Sequence, residues 1–458
     1  MKHPLDQRLA AALPANSLYA VGGRVRDEVR HQFSQSHLET KDHDYLVTGV
    51  GLEELTTRLT PLGRVSRVGA SFAVIKLSTE FGVVDVALPR RERSSGVGHR
   101  EYEIISAPDI PIDDDLARRD FRMNMMARAV PTGELLDPFG GARDIAARRI
   151  DILNPQALLE DPLRMLRACQ FAARFEYELS ESTLGAMQDA APLVATVSGE
   201  RIGEELTKML RWTRVPSLGL ELMRATGLQQ HVWPELLEGV GVEQNEWHLF
   251  DVYRHNLETL DATRPGDLIV RLAALFHDVG KPRVKDGPHF YRHERVGEVL
   301  TRSMLGRLHF GNEVIEGVAH LVRQHMYDAD PGASDAAIRR FIRRIGPTSL
   351  ERQFELREAD VVASGLPRRD DSHEIFMQRV REELDRKPPF SVRDLEIDGA
   401  MVLEIMKRKK IVPTNFKGDA RVGAALRYAL EQVTESPRDN VASRLSYLIE
   451  RFFEGAVP

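Results

Sequence analysis

Three acids near the amino terminus carry the first hint of chemistry. Asp42 and Asp44 flank one residue in the strand-like DHDYLVTG, and because side chains alternate along a strand, both carboxylates face the same way. Two anions so aimed repel unless a cation lies between them. The apolar run VVDVAL puts a third acid, Asp85, inside a strand, where an unpaired carboxylate is costly or forced neutral. Three acids on neighbouring strands suit a two-metal site for phosphoryl transfer. Just ahead of them Gly22 and Gly23 close a strand and open a basic helix through Arg24 and Arg26. That aims backbone N–H groups and a helix N-terminus at a triphosphate.

A second constellation is built from histidines. His255 lies in the helix-like HLFDVYRHNLETL, and LAALFHDVGKP carries the adjacent pair His277 and Asp278, read as part of an apolar helix. Burying both without a partner is expensive. His293, His325 and Asp360 follow as further ligand candidates, and Lys281 stands ready for a phosphate. Neutral imidazoles with carboxylates suit a divalent ion such as manganese, nickel, magnesium or iron.

A third pattern is a spacing of three. In LLEDPLRMLRACQF, Asp161, Arg164 and Arg167 are predicted to share one helix face while Leu163 and Leu166 point elsewhere. Cytosine and adenine each present an exocyclic amine beside an unprotonated ring nitrogen. A carboxylate acceptor next to a guanidinium donor matches either, whereas uracil and guanine leave both groups unpaired.

These groups need a scaffold. SLYAVGG, DHDYLVTG, AVIKLST and VVDVAL read as strands and RVRDEVRHQF and LEELTTRL as helices, an α+β head of mixed sheet with helices. Beyond about residue 155 the apolar spacing turns helical, with LEDPLRMLRACQFAARF and GERIGEELTKMLRW each read as one long amphipathic helix. Glycine-bearing and polar breaks divide the chain into a catalytic head over 1–145, an all-α neck and body over 146–240, an all-α histidine-rich unit over 241–370 and a helical tail over 371–458. The 458 residues carry 42% hydrophobic and 29% charged side chains, an ordinary globular composition. A single cysteine, Cys169, excludes an internal disulfide framework and a cysteine-based zinc cluster. The net charge of -6 excludes an indiscriminate polyanion binder, though 63 Lys and Arg leave room for basic faces such as MKRKKIVPTNFKGDARVG. No apolar run approaches the roughly 20 residues that span a bilayer, and the amino terminus has no secretory pattern; a cytoplasmic protein without membrane contact is expected.

LYAVGGRVRD followed by DHDYLVTG resembles the opening signature of the class II tRNA nucleotidyltransferase and poly(A) polymerase family, of nucleotidyltransferase fold. LARRDFRMNMMA, DPFGGARD, EDPLR and SGERIGEELTKML are similar to its later motifs, in the family's order. The resemblance implies that Gly22, Gly23 and Arg26 contact nucleotide and that Asp42 and Asp44 hold magnesium. It further assigns Arg119, Asp120 and Asn124 to sugar and phosphates, and Asp161, Arg164 and Arg167 to base choice. Arg201, Glu204 and Glu205 match the following helical motif, and Asp137, Gly140, Gly141 and Asp144 the head-to-neck linker. The expected partners are a tRNA 3′ end, CTP and ATP, not DNA. PRRERSSGVGHREYEI resembles the flexible loop of CCA-adding enzymes. Two departures, Gln170 in place of the family's arginine and RMNMMA in place of TINALA, motivate narrower readings: a CC-adding or A-adding enzyme, or a poly(A) polymerase. The order His, His-Asp, His, Asp resembles the HD phosphohydrolase superfamily and implies phosphatase or 2′,3′-cyclic phosphodiesterase activity. That leaves a further alternative, an HD phosphohydrolase whose inactive head only grips RNA.

Overall fold

The computed structural model describes residues 4–34, 43–68, 73–94, 102–367 and 370–455. Asp42 and the tip of the expected flexible loop, 95–101, lie outside them. The chain divides into two compact units: Met1–Val240 with Arg264–Arg271 and Arg302–Ile315, and Gly241–Thr263 with Leu272–Thr301 and Glu316–Pro458. No helix among the described residues is long and apolar enough to cross a membrane.

The first unit begins with a mixed sheet. Its strands are β1 (Leu18–Val21), β2 (Asp44–Val47), β3 (Arg64–Val68), β4 (Val74–Thr79), β5 (Gly82–Ala87), β8 (Ala127–Ala129) and β9 (Leu135–Leu136), in the order β3-β4-β5-β2-β1-β8-β9. A separate hairpin pairs β6 (Arg90–Ser94) with β7 (Tyr102–Ser106). All neighbours in the large sheet are antiparallel except β2 and β5, which run parallel. Alternation sorts the two faces. Tyr45, Val47, Ile75, Leu77, Val84 and Val86 join one core with Leu5 and Leu9 of α1 (Pro4–Ala12) and Leu55 and Leu59 of α3 (Leu52–Leu59). Val21 and Leu46 face the other way, towards Leu116, Met125 and Ala127. Asp44 and Asp85 belong to this second face by the same period of two.

The helix α2 (Gly23–Ser34) follows β1 directly. Its Arg24 turns away from the glycine turn and forks onto buried Asp6 at 2.9 and 2.7 Å. The head continues through α4 (Ile112–Ala117) and α5 (Gly141–Ala146). Asp137 caps α5, accepting from the N–H of Gly141 and Ala142 at 2.6 and 3.0 Å. Gly141 admits no side chain, since a Cβ would lie 2.3 Å from the Arg122 carbonyl.

The expected long helix from residue 159 is in fact interrupted, between α6 (Gln156–Glu160) and α7 (Leu163–Phe175). Asp161 between them is extended, with φ -133 and ψ 93, because a residue preceding proline, here Pro162, is pushed out of the helical region. The second expected helix is continuous: after α8 (Glu181–Ala190) comes α9 (Gly199–Trp212). Cys169 of α7 is fully buried, and the helix Ser217–Ala225 comes close to it through Gly219, where a Cβ would lie 2.9 Å from the Cys169 carbonyl.

The second unit is helical. The helix Val252–Ala262 packs along Leu350–Ala363, and the tail helices Gly399–Arg408, Ala420–Glu435 and Ala442–Phe453 enclose a core of their own around Val402, Ala425, Val433 and Leu445. Of the basic stretch in this tail, Arg408 and Lys409 bind Glu450 at 2.6 and 3.0 Å.

Candidate active site and metal centre

The glycine turn ends β1 next to β2. Gly22 has φ +73, a conformation that favours glycine, and a Cβ there would lie 3.1 Å from Asp44 Oδ2 and 3.5 Å from Arg119 Nη1. Space and backbone both require glycine, and the turn brings a carboxylate and a guanidinium to one point. Asp44 and Asp85 are register partners on the two parallel strands. Both are half-buried, so Asp85 is not sealed in apolar surroundings as its strand suggested; its face of the sheet is partly open. Arg119 is oriented from below by Asp115, fully buried, which also binds Arg118. Burial alone would raise the Asp115 carboxyl, but the two guanidiniums outweigh it and hold it below the usual carboxylate range.

From here a chain of alternating donors and acceptors runs into the neck. Arg26 forks onto Asp27 at 2.9 and 3.0 Å and donates to Asn124 Oδ1 at 3.0 Å. Asn124 donates to Asp120 Oδ1 at 2.7 Å, and the Arg167 guanidinium takes Asp120 Oδ2 at 2.9 and 2.7 Å. Burial pushes the Asp120 carboxyl up, but Arg167 and Asn124 prevail and hold it below its ordinary value. Asp120 thus anchors the neck helix α7.

Asp161 and Arg164 do not share a helix face as their spacing suggested, because Asp161 precedes α7. They are nevertheless both held in place at its entrance. Asp161 accepts from the N–H of Leu163 at 3.3 Å and pairs with Arg201 of α9 at 3.1 Å. Arg164 donates to the carbonyls of Arg118 and Ala157 at 2.6 and 3.2 Å. Gln170 is buried in α7.

In the second unit all six expected ligands, His255, His277, Asp278, His293, His325 and Asp360, converge. His277 and Asp278 lie in the turn just beyond the helix Leu268–Phe276, not within it. Each imidazole presents its Nδ1 to a backbone carbonyl: His277 to Ala274 at 2.8 Å, His293 to Phe290 and His325 to Val322 at 2.7 Å, His255 to Ala363 at 3.3 Å. A carbonyl only accepts, so Nδ1 carries a proton in each ring and Nε2 is the atom turned to the centre. Yet the Nε2 atoms of His255 and His277 approach to 3.2 Å, and those of His293 and His325 to 3.1 Å. Two such nitrogens at that distance are relieved by a metal ion between them or by a proton on one of them.

The acids add to this demand. Asp360 Oδ1 lies 3.0 Å from His255 Nε2, and Asp278 reaches His277 at 3.3 Å and His293 at 3.2 Å. Burial opposes protonation of His277, but Asp278 and Asp360 overcome it and push its imidazole up to about 10. Among the described residues three groups of side chains are placed to hold a metal ion: His255, His277 and Asp278; Asp278, His293 and His325; and His248, His255 and Asp360. The donor set, imidazole lone pairs with carboxylates, fits a divalent ion. Lys281 Nζ lies 2.5 Å from Asp278 Oδ2 and donates to Gln244 at 2.6 Å.

The comparisons agree with this geometry. Residues 18–151 match the model of the poly A polymerase head domain, 176–239 that of a probable RNA and SrmB- binding site of polymerase A, and 252–364 that of the HD domain. The multifunctional CCA protein of Nitrosococcus oceani is 36% identical over 307 residues, covering 64% of this chain and 70% of the relative. That of Cupriavidus taiwanensis is 34% identical over 323 residues, covering 67% and 74%. The chain belongs to the multifunctional CCA protein family. Its fold is shared with the crystal structure of the Bacillus stearothermophilus CCA-adding enzyme in complex with CTP, at TM-score 0.72 and 22% identity, over 100% of this chain and 99% of that one.

For this member of the multifunctional CCA proteins, sequence reasoning missed two residues. His248 stacks edge-on against His255 with centroids 4.7 Å apart, and burial above all lowers its imidazole to about 4. It opens the stretch HLFDVYRHNLETL that reads as helix, but the helix begins only at Val252 and His248 sits in the loop before it. Asp115 was missed too, although its place four residues before Arg119 is an ion-pair spacing.

Proposed function

We propose that this chain adds C and A residues to the 3′ end of tRNA from CTP and ATP without a nucleic-acid template, in the cytoplasm. The single observation that carries the reading is the kinship with multifunctional CCA proteins over more than two thirds of their length. The turn at Gly22 and Gly23 and the N-terminus of α2 receive the triphosphate through backbone N–H groups, and Arg119 adds a positive charge beside Gly22. Asp44, with Asp42 and Asp85, would hold magnesium, which when bound supplies the charge that activates the tRNA 3′-hydroxyl and steadies the departing oxygen. The hydroxyl attacks the α-phosphate and pyrophosphate leaves. Asp161 offers an acceptor and Arg164 a donor to the base edge. Asn124 and Asp120 serve the site from behind, by holding Arg167 and the neck in place. In this reading residues 1–145 form the catalytic head, 146–240 the neck and body, 241–370 the HD unit and 371–458 a tail.

Incorporation of single nucleotides on tRNA ending in the discriminator base, and on tRNA ending in CC, tests this. C, C and then A are expected; comparable addition of UMP or GMP defeats the base reader, and addition of C alone or A alone selects the narrower enzyme.

A second activity rests on the lone pairs converging in the HD unit. His255, His277, Asp278 and Asp360, joined by His293 and His325, would hold a divalent ion of the manganese, nickel, magnesium or iron type, which when bound supplies a hydroxide for hydrolysing phosphoesters. Lys281 neutralises the phosphate. Hydrolysis of 2′,3′-cyclic nucleotides that is lost in His277→Ala is the expected result.

A further inference from the structure

Arg26 stands where the glycine turn meets the neck, and its surroundings are those of a strut. The residue is 5% exposed. Its fork is spent on Asp27 and its remaining nitrogen on Asn124, and a Cβ on Gly23 would lie 3.4 Å from Nη2. The guanidinium also lies over two rings of α7, Phe171 at 5.2 Å and Phe175 at 4.9 Å. Those rings are themselves stacked, with centroids 5.6 Å apart and planes 7° apart. Arg167, anchored by Asp120, lies over Phe171 at 5.3 Å.

The contacts close a ring: Arg26 to Asn124 to Asp120 to Arg167 to Phe171 and back to Arg26. One arc is polar and the other aromatic, and both join the glycine turn to the helix that bears Arg164 and Arg167. A closed ring of buried contacts has few ways to move one member alone. We propose that Arg26 is a positioning residue that couples the glycine turn to α7 and thereby sets which base is accepted, and is not itself a ligand of the triphosphate. This rests on the nucleotidyltransferase reading above. Lysine cannot replace it, since an ammonium keeps the charge but loses both the fork and the plane that stacks on the rings.

The test measures kcat and KM for each of the four nucleotides on tRNA ending in the discriminator base and in CC, for Arg26→Lys, Phe171→Leu and the double variant. Each single variant is expected to raise the ratio of UMP or GMP to correct incorporation about tenfold, with the KM for CTP nearly unchanged. The double variant is expected to be no worse than Arg26→Lys alone, since both cut one ring. If Arg26→Lys raises the KM for CTP and ATP alike while Phe171→Leu is silent, Arg26 is a nucleotide ligand and the proposal falls. It falls equally if both variants lose activity towards all nucleotides in step with their melting temperatures while base choice is untouched. A wild-type protein that adds neither C nor A to either tRNA would overturn the nucleotidyltransferase reading itself, and the coupling with it.

Discussion

The junction of head and neck and the HD centre are both dense in charge, yet they balance it in opposite ways. At the junction Asp115, Asp120 and Glu205 each face an arginine or lysine, so each carboxylate is balanced by a cation of the same region before any ligand arrives. In the HD centre four Nε2 atoms and two carboxylates point inward, with Lys281 on Asp278 and Arg357 on Asp360 at its edge. The first arrangement suits recognition, where pre-set donors and acceptors reward one base and penalise another. The second suits the capture of an ion, which must replace the missing positive charge.

The sharpest way to break this contrast is to cripple each region separately. Asp44→Ala is expected to lower C and A addition by about a thousandfold or more, on the scale of losing a preorganised electrostatic contact at a reacting phosphate, while metal-dependent phosphoester hydrolysis stays within about twofold. His277→Ala should do the reverse. If His277→Ala abolished activity towards tRNA and Asp44→Ala left it unchanged, the head would be only an RNA grip.

Metal titration sharpens it further. Adding nickel or manganese to metal-stripped protein at a hundredfold excess over the dissociation constant should stabilise the HD unit by about 2.7 kcal/mol. A thermal melt would show this as a rise in Tm that vanishes in Asp278→Ala. An unchanged Tm in the wild type would mean that the lone pairs are answered by protons.

Acid titration probes the self-satisfied region. The folded Asp115 carboxyl is held below its ordinary value, so the stability it contributes is fully present above about pH 4 and is lost as pH falls through its folded pKa. Asp115→Asn should cost about 3 kcal/mol at pH 7 by stranding two guanidiniums, and its urea midpoint should converge on that of the wild type in stronger acid. A difference that stays constant with pH would show that the loss is one of shape, not charge.

Much of this was legible in the residues because it depends on short-range periodicity. The strand reading put Asp44 and Asp85 on neighbouring strands, where they are register partners, and the His and Asp types named all six groups of the HD centre even though they are scattered over more than a hundred residues. What escaped was set by local exceptions or by tertiary contact. Pro162 broke the helix that would have put Asp161 beside Arg164. The helix before His277 stopped one residue short of it. His248 belongs to its centre only because a loop folds back over His255. The resemblance assigns Arg26 to the nucleotide; its contacts with the rings of Phe171 and Phe175, far along the chain, are set by the fold alone.

The single thiol of the chain has a practical meaning of its own. Cys169 lies wholly inside the neck, closed off by the approach at Gly219, and burial pushes it up to about 12. With almost no thiolate at neutral pH, it resists alkylating reagents and peroxide alike. Cysteines introduced on the surface would therefore carry spectroscopic labels without competition, and the surroundings of α7 during successive additions could be monitored in an otherwise native chain.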